Sequence, residues 1–434
     1  MALEADKPLR ICFLGYRSNP HSGGQGIYLR YLTRALVEFG HQVDVLSGEP
    51  YPDLDPRVRL IKLPSLNLYA AENHLSALRW RHLRSFTDTF EWLSMATGGF
   101  PEPYTWGRRA AAYLRSHRTD YDIIHDNQSL SYGLLTLRRY GFPLVATIHH
   151  PITRDRDLAV ASQDSWGMRL ATKRWYSFLT MQGRVARRLP QLITVSEASR
   201  RDIAAAFRAD PSRIDVIPNG IDAELFRPSP KAERNPLRLI TTASADAPLK
   251  GLSHLLLAIG RLRIRYPELK LTLIGRLNPK GPTARLVREL GIGSLIDQRT
   301  DLSAEAIVKE YNRSSIAVVP SLYEGFGLPA GEAMACGVPV VATTGGALPE
   351  VVGNAGITVP PGDADALGSA IQMLLENRGL ANDLGAAGRA RVLSTFTWTG
   401  AAESLTSLYR TVSTNTRHRT AAEIPDGNRR LQPS

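Results

Sequence analysis

The chain has 434 residues, 43% of them hydrophobic and 22% charged, which is too long for one ordinary core and suits two. Its two cysteines, Cys12 and Cys336, fit neither a disulfide framework nor a metal-ligand spacing, so a reducing cytoplasm is the expected compartment. No stretch reaches the roughly 20 apolar residues of a bilayer span. A net charge of +12 admits nucleic acid, an acidic membrane surface or an anionic substrate. Without zinc-finger spacing or an aromatic RNA-binding signature, no nucleic-acid partner is expected.

Met1 to Arg10 carries Glu4, Asp6 and Lys7 before a short apolar run and does not read as a secretory signal. Leu9–Gly15 reads as a buried strand, Tyr16–Gln25 as a glycine-containing loop and Ile27–Phe39 as an amphipathic helix stopped by Gly40. Further strands are expected at Gln42–Leu46, Asp122–His125, Leu144–Ile148, Leu192–Val195 and Asp215–Ile217. Pro218–Asp222 breaks the pattern, and Arg227–Pro236, rich in proline and charge, reads as a linker. A second series then begins, with strands at Leu237–Thr241, Leu271–Ile274, Ile316–Val319 and Val338–Ala342. Strands alternating with helices predict an α/β protein of two Rossmann-like domains, 1–227 and 228–395, with the ligand at strand carboxyl ends and in the cleft between domains. Phe396–Val412 reads as a last helix crossing back to the first domain, and 413–434, polar and basic, as a disordered tail.

The most informative segment runs from Ser321 to Gly337, after the strand Ile316–Val319. Its glycines allow close backbone approach to a ligand, Pro329 suits a helix's first turn, and Gly337 suits its end. Unpaired N–H groups at such a helix start suit a phosphate. Glu324 and Glu332 flank that start as two carboxylates able to accept hydrogen bonds from sugar hydroxyls. On residue type alone, a helix-start glutamate and an exposed one account for the pair equally well.

The run Glu324-Gly-Phe-Gly-Leu-Pro, with Glu332 at the second position of an E-x7-E spacing, resembles the motif of retaining glycosyltransferases of family 4, which have the GT-B fold. The resemblance extends from the Gly23-Gly24 loop to the final helix. It implies that Glu332 binds the ribose hydroxyls of a nucleotide and that Glu324 lies beside the donor sugar. The backbone of Gly325, Phe326, Gly327 and Leu328 would then face the sugar and the distal phosphate. Lys250-Gly251 matches the family's Lys-Gly, where a lysine neutralises the departing diphosphate. Six residues earlier the family usually has an arginine, and here stands Ser244. Arg276, after the strand Leu271–Ile274, is the candidate replacement, the alternative being Lys250 and backbone alone. Gly23 and Gly24 occupy the loop that closes over the phosphates. His149 aligns with a histidine that contacts the donor sugar, with His150 as the fallback. Ser196 and Glu197 read as a helix N-cap, and Asn219 and Asp222 as a turn.

The resemblance implies hexosyl transfer from a nucleotide-sugar with retention and no divalent metal, and no Asp-x-Asp site stands at a strand end. No cofactor is expected. The acceptor is left open among a lipid-linked sugar, a polysaccharide and a small metabolite. Residues 74–92 and 165–193 mix aromatics with arginine and lysine, a composition that suits either an anionic membrane surface or a solvated helix face. Two rival readings stand beside the transferase. A dehydrogenase lacks its G-x-G-x-x-G spacing here. A catalytically weak nucleotide-sugar-binding partner of another transferase draws on Ser244.

Overall fold

The computed structural model describes residues 7–19, 24–70, 80–242 and 247–422. They form two compact units. The first comprises residues up to Thr194, Arg200–Ile217 and the chain from Ala401; the second comprises Val195–Ser199 and Pro218–Gly400. The division at Ile217/Pro218 precedes the sequence-expected boundary near 228. Pro218–Asp222 therefore belongs to the second unit, where the Ile221 N–H donates to Phe396 O at 2.8 Å.

The first unit holds a seven-stranded parallel sheet. Its strands are β1 (Arg10–Gly15), β2 (Gln42–Ser47), β3 (Arg59–Lys62), β4 (Ile123–Asn127), β5 (Leu144–Thr147), β6 (Leu192–Thr194) and β7 (Ile214–Val216), in the order β3-β2-β1-β4-β5-β6-β7. The second unit holds β8 (Asn235–Thr242), β9 (Lys270–Ile274), β10 (Ile296–Arg299), β11 (Ser314–Val319), β12 (Val340–Thr343) and β13 (Ile357–Val359), in the order β10-β9-β8-β11-β12-β13. Every strand pair is parallel, and the crossovers other than β2 to β3 run through helices. Central strands are apolar on both faces: β1 and β4 bury Ile11, Phe13, Leu14, Ile123 and Ile124 completely. In each sheet the order reverses once, at β1/β4 and at β8/β11, and those switch points place the loops that matter for a ligand.

Two expected boundaries move. The first helix spans Gly24–Glu38, starting earlier than Ile27. Its first turn is admitted by Gly26, where a Cβ would lie 2.1 Å from Asn19 O. The last helix spans Trp398–Ala422, so the expected disorder from 413 does not hold as far as Ala422. Val412 and Ser413 are buried and Arg417 pairs with Asp122 at 3.0 Å, contacts that extend the helix beyond its apolar pattern. Residues 423–434 lie outside the described residues. From Ala401 on, this helix packs in the first unit, where Thr406 Oγ1 meets His41 Nε2 at 2.9 Å and Tyr409 OH meets His125 Nδ1 at 2.5 Å.

Candidate active site

In the second unit the candidate residues converge on the β8/β11 switch point. After β8, Pro248–Lys250 forms a single helical turn, and the Leu249 carbonyl accepts from the Leu322 N–H at 2.7 Å, tying this turn to the loop after β11. Gly251 has φ +60°, and a Cβ there would lie 2.0 Å from Pro320 O, so only glycine lets the two loops meet. The outcome is a short ion pair: Lys250 Nζ donates to Glu324 Oε1 at 2.7 Å, and Ser321 Oγ donates to the same oxygen at 2.8 Å. Both partners are partly buried, with the carboxylate more enclosed than the ammonium.

Glu324 ends in a bridge to Gly346, with the Ala347 N–H donating to Glu324 O at 2.9 Å. Gly327, at φ +101°, then opens the helix Leu328–Ala335, with Pro329 in its first turn and no side chain capping it. Gly337, at φ +65°, closes it. The Arg234 and Arg389 guanidiniums donate to the Cys336 and Ala335 carbonyls, placing positive charge at the helix's negative end.

Glu332 lies inside that helix. Tyr311, fully buried on the helix Ala304–Arg313, donates to Glu332 Oε2 at 3.4 Å and to Pro329 O at 3.3 Å. Protein encloses the carboxylate while part of the residue stays reachable, and burial pushes its pKa up to about 8, against the Tyr311 hydrogen bond that lowers it. Without a ligand, Glu332 therefore carries its proton at neutral pH. Arg276 follows β9 and pairs with Asp301 at 2.8 Å. Exposure of 77% and 75% makes that pair weak, leaving the guanidinium open to an anion. Gly23 and Ser244 lie outside the described residues; Gly24 is the first residue of its helix.

In the first unit His149 follows β5. Its N–H donates to Gln128 Oε1 at 2.8 Å, and its Nε2 lies 2.8 Å from Asn127 Oδ1. Asn127 Nδ2 donates to Gln25 O at 3.3 Å, which fixes the amide orientation, so Nε2 of His149 carries the hydrogen. Tyr28 packs edge-on at 4.7 Å. Burial, then the neighbouring His150, lowers the His149 pKa to about 3, so the ring is neutral at physiological pH. Gln128 and Leu130 hold positive φ, 60° and 45°, in the loop after β4. Buried Asp126 accepts from Leu130 N at 2.9 Å and from Ser129 Oγ, and burial raises its pKa to about 6.

Several groups that hold these residues carry no sequence signal. Ser196 does cap its helix, accepting from Ser199 N at 3.0 Å, but its hydroxyl also donates to Gly325 O at 2.7 Å, as Ser199 does at 3.1 Å. Glu350 accepts from the Glu197 and Ala198 N–H groups at 2.8 and 2.7 Å. Tyr311 and Asp126–Gln128, at the end of β4, likewise carry no such signal. Asp222 is a turn residue, accepting from Glu224 N and Leu225 N.

Two doubly wound parallel sheets, with a lysine–glutamate pair beside a glycine-opened helix start, define a GT-B glycosyltransferase. Residues 22–225 match the family described as Glycosyltransferase Family 4, and residues 224–391 match Glycosyl transferases group 1. The MMP alpha-(1->4)-mannosyltransferase of Mycolicibacterium hassiacum is 47% identical over 405 residues, spanning 92% of this chain and 98% of that protein. The D-inositol 3-phosphate glycosyltransferase of Kribbella flavida is 25% identical across 94% of this chain and 97% of its own. Among solved structures, sucrose-phosphate synthase from Thermosynechococcus elongatus superposes with a TM-score of 0.71 at 25% identity, covering 94% of this chain and all of its own. Anabaena HepE, solved with UDP-glucose, shares the fold at a TM-score of 0.64 and 16% identity, covering 95% of this chain and 100% of its own. The chain belongs to the family 4 glycosyltransferases.

Residues 74–79 of the first aromatic–basic stretch lie outside the described residues. In the described part, Trp80, Phe86, Phe90 and Leu93 are exposed, and the helix Trp166–Trp175 buries none of its residues. No described helix is long and apolar enough to cross a membrane. Among the described residues no cluster of three metal-ligating side chains occurs.

Proposed function

We propose that this enzyme transfers a hexosyl group, mannosyl by the name of its 47%-identical relative, from a nucleoside-diphosphate sugar to a carbohydrate acceptor with retention at the anomeric carbon. The observation that carries the reading is the Lys250–Glu324 pair at the β8/β11 switch point. The pair sets an ammonium and a carboxylate 2.7 Å apart in partly buried surroundings. A nucleotide-sugar supplies the replacement for both: its diphosphate takes Lys250, and its sugar hydroxyls take the acceptor oxygens of Glu324. Glu332, presented beneath the helix start with Tyr311 behind it, accepts the ribose hydroxyls.

Chemistry then consists of breaking the bond between the anomeric carbon and the distal phosphate oxygen while the acceptor hydroxyl attacks from the same face. The departing phosphate takes the acceptor's proton. Lys250, Arg276 and the N–H groups of the Gly325–Leu328 segment stabilise the charge that collects on that phosphate. His149, its ring fixed by Asn127, is neutral and offers a hydrogen-bond donor without a positive charge. In this reading no divalent metal takes part, as the family resemblance implies.

A thermal-shift panel of UDP, GDP and ADP, followed by the mannose and glucose conjugates of the base that binds, tests the donor reading directly. A stabilising nucleotide and product formation from its sugar are expected. If no nucleoside diphosphate stabilises the protein at millimolar concentration, the donor site is misassigned.

A further inference from the structure

Three consecutive helices of the first unit, Thr153–Ala161, Trp166–Trp175 and Phe178–Ala186, line an open cavity of about 760 Å³. None of its lining residues belongs to the candidate site above. The volume falls within the roughly 300–1,000 Å³ of small-molecule sites and far exceeds the space of a lone ion. The first of these helices leaves the carboxyl end of β5, the side of a parallel sheet on which ligands bind.

The wall of this cavity is cationic. Arg156, Arg169 and Lys173 line it with one carboxylate, Asp157, and Arg156 takes that carboxylate at 2.8 Å. Arg169 Nε donates to the Gln163 carbonyl at 2.9 Å, which orients the guanidinium and leaves its terminal nitrogens for another acceptor. Among the described residues neither Arg169 nor Lys173 meets a carboxylate. The two stand at i and i+4 of one helix, where like charges repel, and no acidic residue occurs from Ser165 to Ile193 to relieve them. Hydroxyls stand beside the cations. Ser177 Oγ accepts from Arg174 at 3.1 Å, whereas the Tyr176 and Thr180 hydroxyls make no hydrogen bond among the described residues. Burial, then Asp155, raises the Tyr176 pKa, so its hydroxyl keeps a proton to donate. A phosphate monoester brings about two negative charges and three acceptor oxygens, enough for two cations and a hydroxyl; a carboxylate is satisfied by one arginine.

We infer that this cavity is a further ligand site, one that takes a phosphate monoester carried on a hydroxyl-bearing body: Arg169 and Lys173 hold the phosphate, and Tyr176 and Thr180 hydrogen-bond what carries it. The inference uses no residue of the donor site and stands independently of the donor reading. The same chemistry arrives on a soluble sugar phosphate or on a lipid headgroup, whose chains would meet Trp166, Met168 and Leu170, all exposed on the middle helix.

The experiment is titration calorimetry of the full-length protein at low salt with inorganic phosphate, mannose 6-phosphate and mannose. Alongside it runs sedimentation with phosphatidylcholine vesicles with and without phosphatidic acid. Wild type is compared with Arg169→Ala, Lys173→Ala, the charge-retaining Lys173→Arg, and Arg118→Ala, which removes an exposed cation elsewhere in the same unit. Arg169 and Lys173 lie at the surface, so their removal leaves the core intact. Mannose 6-phosphate is expected to bind where mannose does not. Arg169→Ala and Lys173→Ala should each weaken it roughly tenfold or more, the size of a lost hydrogen bond to a charged group, while Lys173→Arg and Arg118→Ala stay within about threefold of wild type. Saturation with a nucleoside diphosphate should leave that affinity unchanged. Sedimentation that needs phosphatidic acid and is lost in the same two variants, without mannose 6-phosphate binding, supports the site and makes the lipid its source. No binding of any of the three phosphate probes overturns the inference. So do equal losses in Arg118→Ala and Lys173→Ala, or displacement of mannose 6-phosphate by the nucleotide.

Discussion

Replacing Glu332 by Gln tests the ribose site through its titration. Burial raises this carboxylate from 4.5 to about 8. A rise of that size corresponds to roughly 5 kcal/mol of preference for the protonated form. Solvent reaches part of the residue, so a few kcal/mol of it is expected as stability. A raised pKa means that the native state binds more protons than the unfolded chain between pH 4.5 and 8. The favourable contribution is complete below 4.5 and is lost as pH climbs through the folded value near 8. Glutamine cannot ionise, so the variant lacks this loss. At pH 5 the two proteins should melt together; at pH 9 Glu332→Gln should melt higher by about 5–10 °C, at roughly 2–4 °C per kcal/mol for a unit of this size. Ligand binding runs the other way. Ribose hydroxyls need an acceptor, so nucleotide binding favours the ionised carboxylate. Wild-type affinity should therefore rise by up to about tenfold per pH unit below 8, with one proton released on binding at pH 7. Glu332→Gln should bind nucleotide more weakly and release none. Differential scanning calorimetry at pH 5, 7 and 9, with titration calorimetry in two buffers of different ionisation enthalpy, reads both. A melting difference that is flat with pH, together with no proton release by wild type, would refute the assignment.

Lys250→Ala should lower turnover by about 10²–10³-fold with a smaller change in donor affinity, since its charge matters most as the diphosphate departs; steady-state kinetics showing a change in KM alone would contradict that role. Glu324→Gln keeps shape but removes the partner of Lys250, and should reduce kcat at least tenfold while nucleotide affinity changes little. Activity should survive EDTA; complete loss restored by Mg²⁺ or Mn²⁺ would overturn the metal-free mechanism. Trp80 and Trp166, at 88% and 79% exposure beside arginines, should shift their fluorescence on vesicles containing phosphatidylglycerol at low salt, and an unchanged spectrum with no sedimentation would leave these residues to another role.

The sequence shows the interior of each sheet better than its margins. Ten strands are readable, nine of them central strands whose apolar runs reflect cover on both faces, the tenth being the edge strand β7. β3, β10 and β13 escape notice, and all three are sheet edges. Their sequences, Arg-Leu-Ile-Lys, Ile-Asp-Gln-Arg and Ile-Thr-Val, are short or half polar because an edge strand is covered on fewer sides. The last helix is underestimated for a related reason. Its final turns are held by Arg417 with Asp122, a polar contact between residues 295 apart that leaves no periodic apolar trace.

The candidate site divides along the same line. Lys250, Glu324, Glu332 and the glycines between them are legible as candidates because groups presented to a ligand from a helix start stand at fixed spacings along the chain. What holds them obeys no such constraint. Ser196 reaches Gly325 from 129 residues away, Ser199 from 126, and Tyr311 reaches Glu332 from 21. Read locally, Ser196 is a helix cap, which it is, and Tyr311 is a core aromatic, which it also is. Their second hydrogen bond is what connects them to the site, and only the fold brings its acceptor into reach. The sequence therefore reveals the candidate ligand-facing groups sooner than the groups that set their pKa and aim. In the mechanism proposed above, where the chemistry is the stabilisation of a leaving phosphate, positioning is the larger share of the protein's contribution.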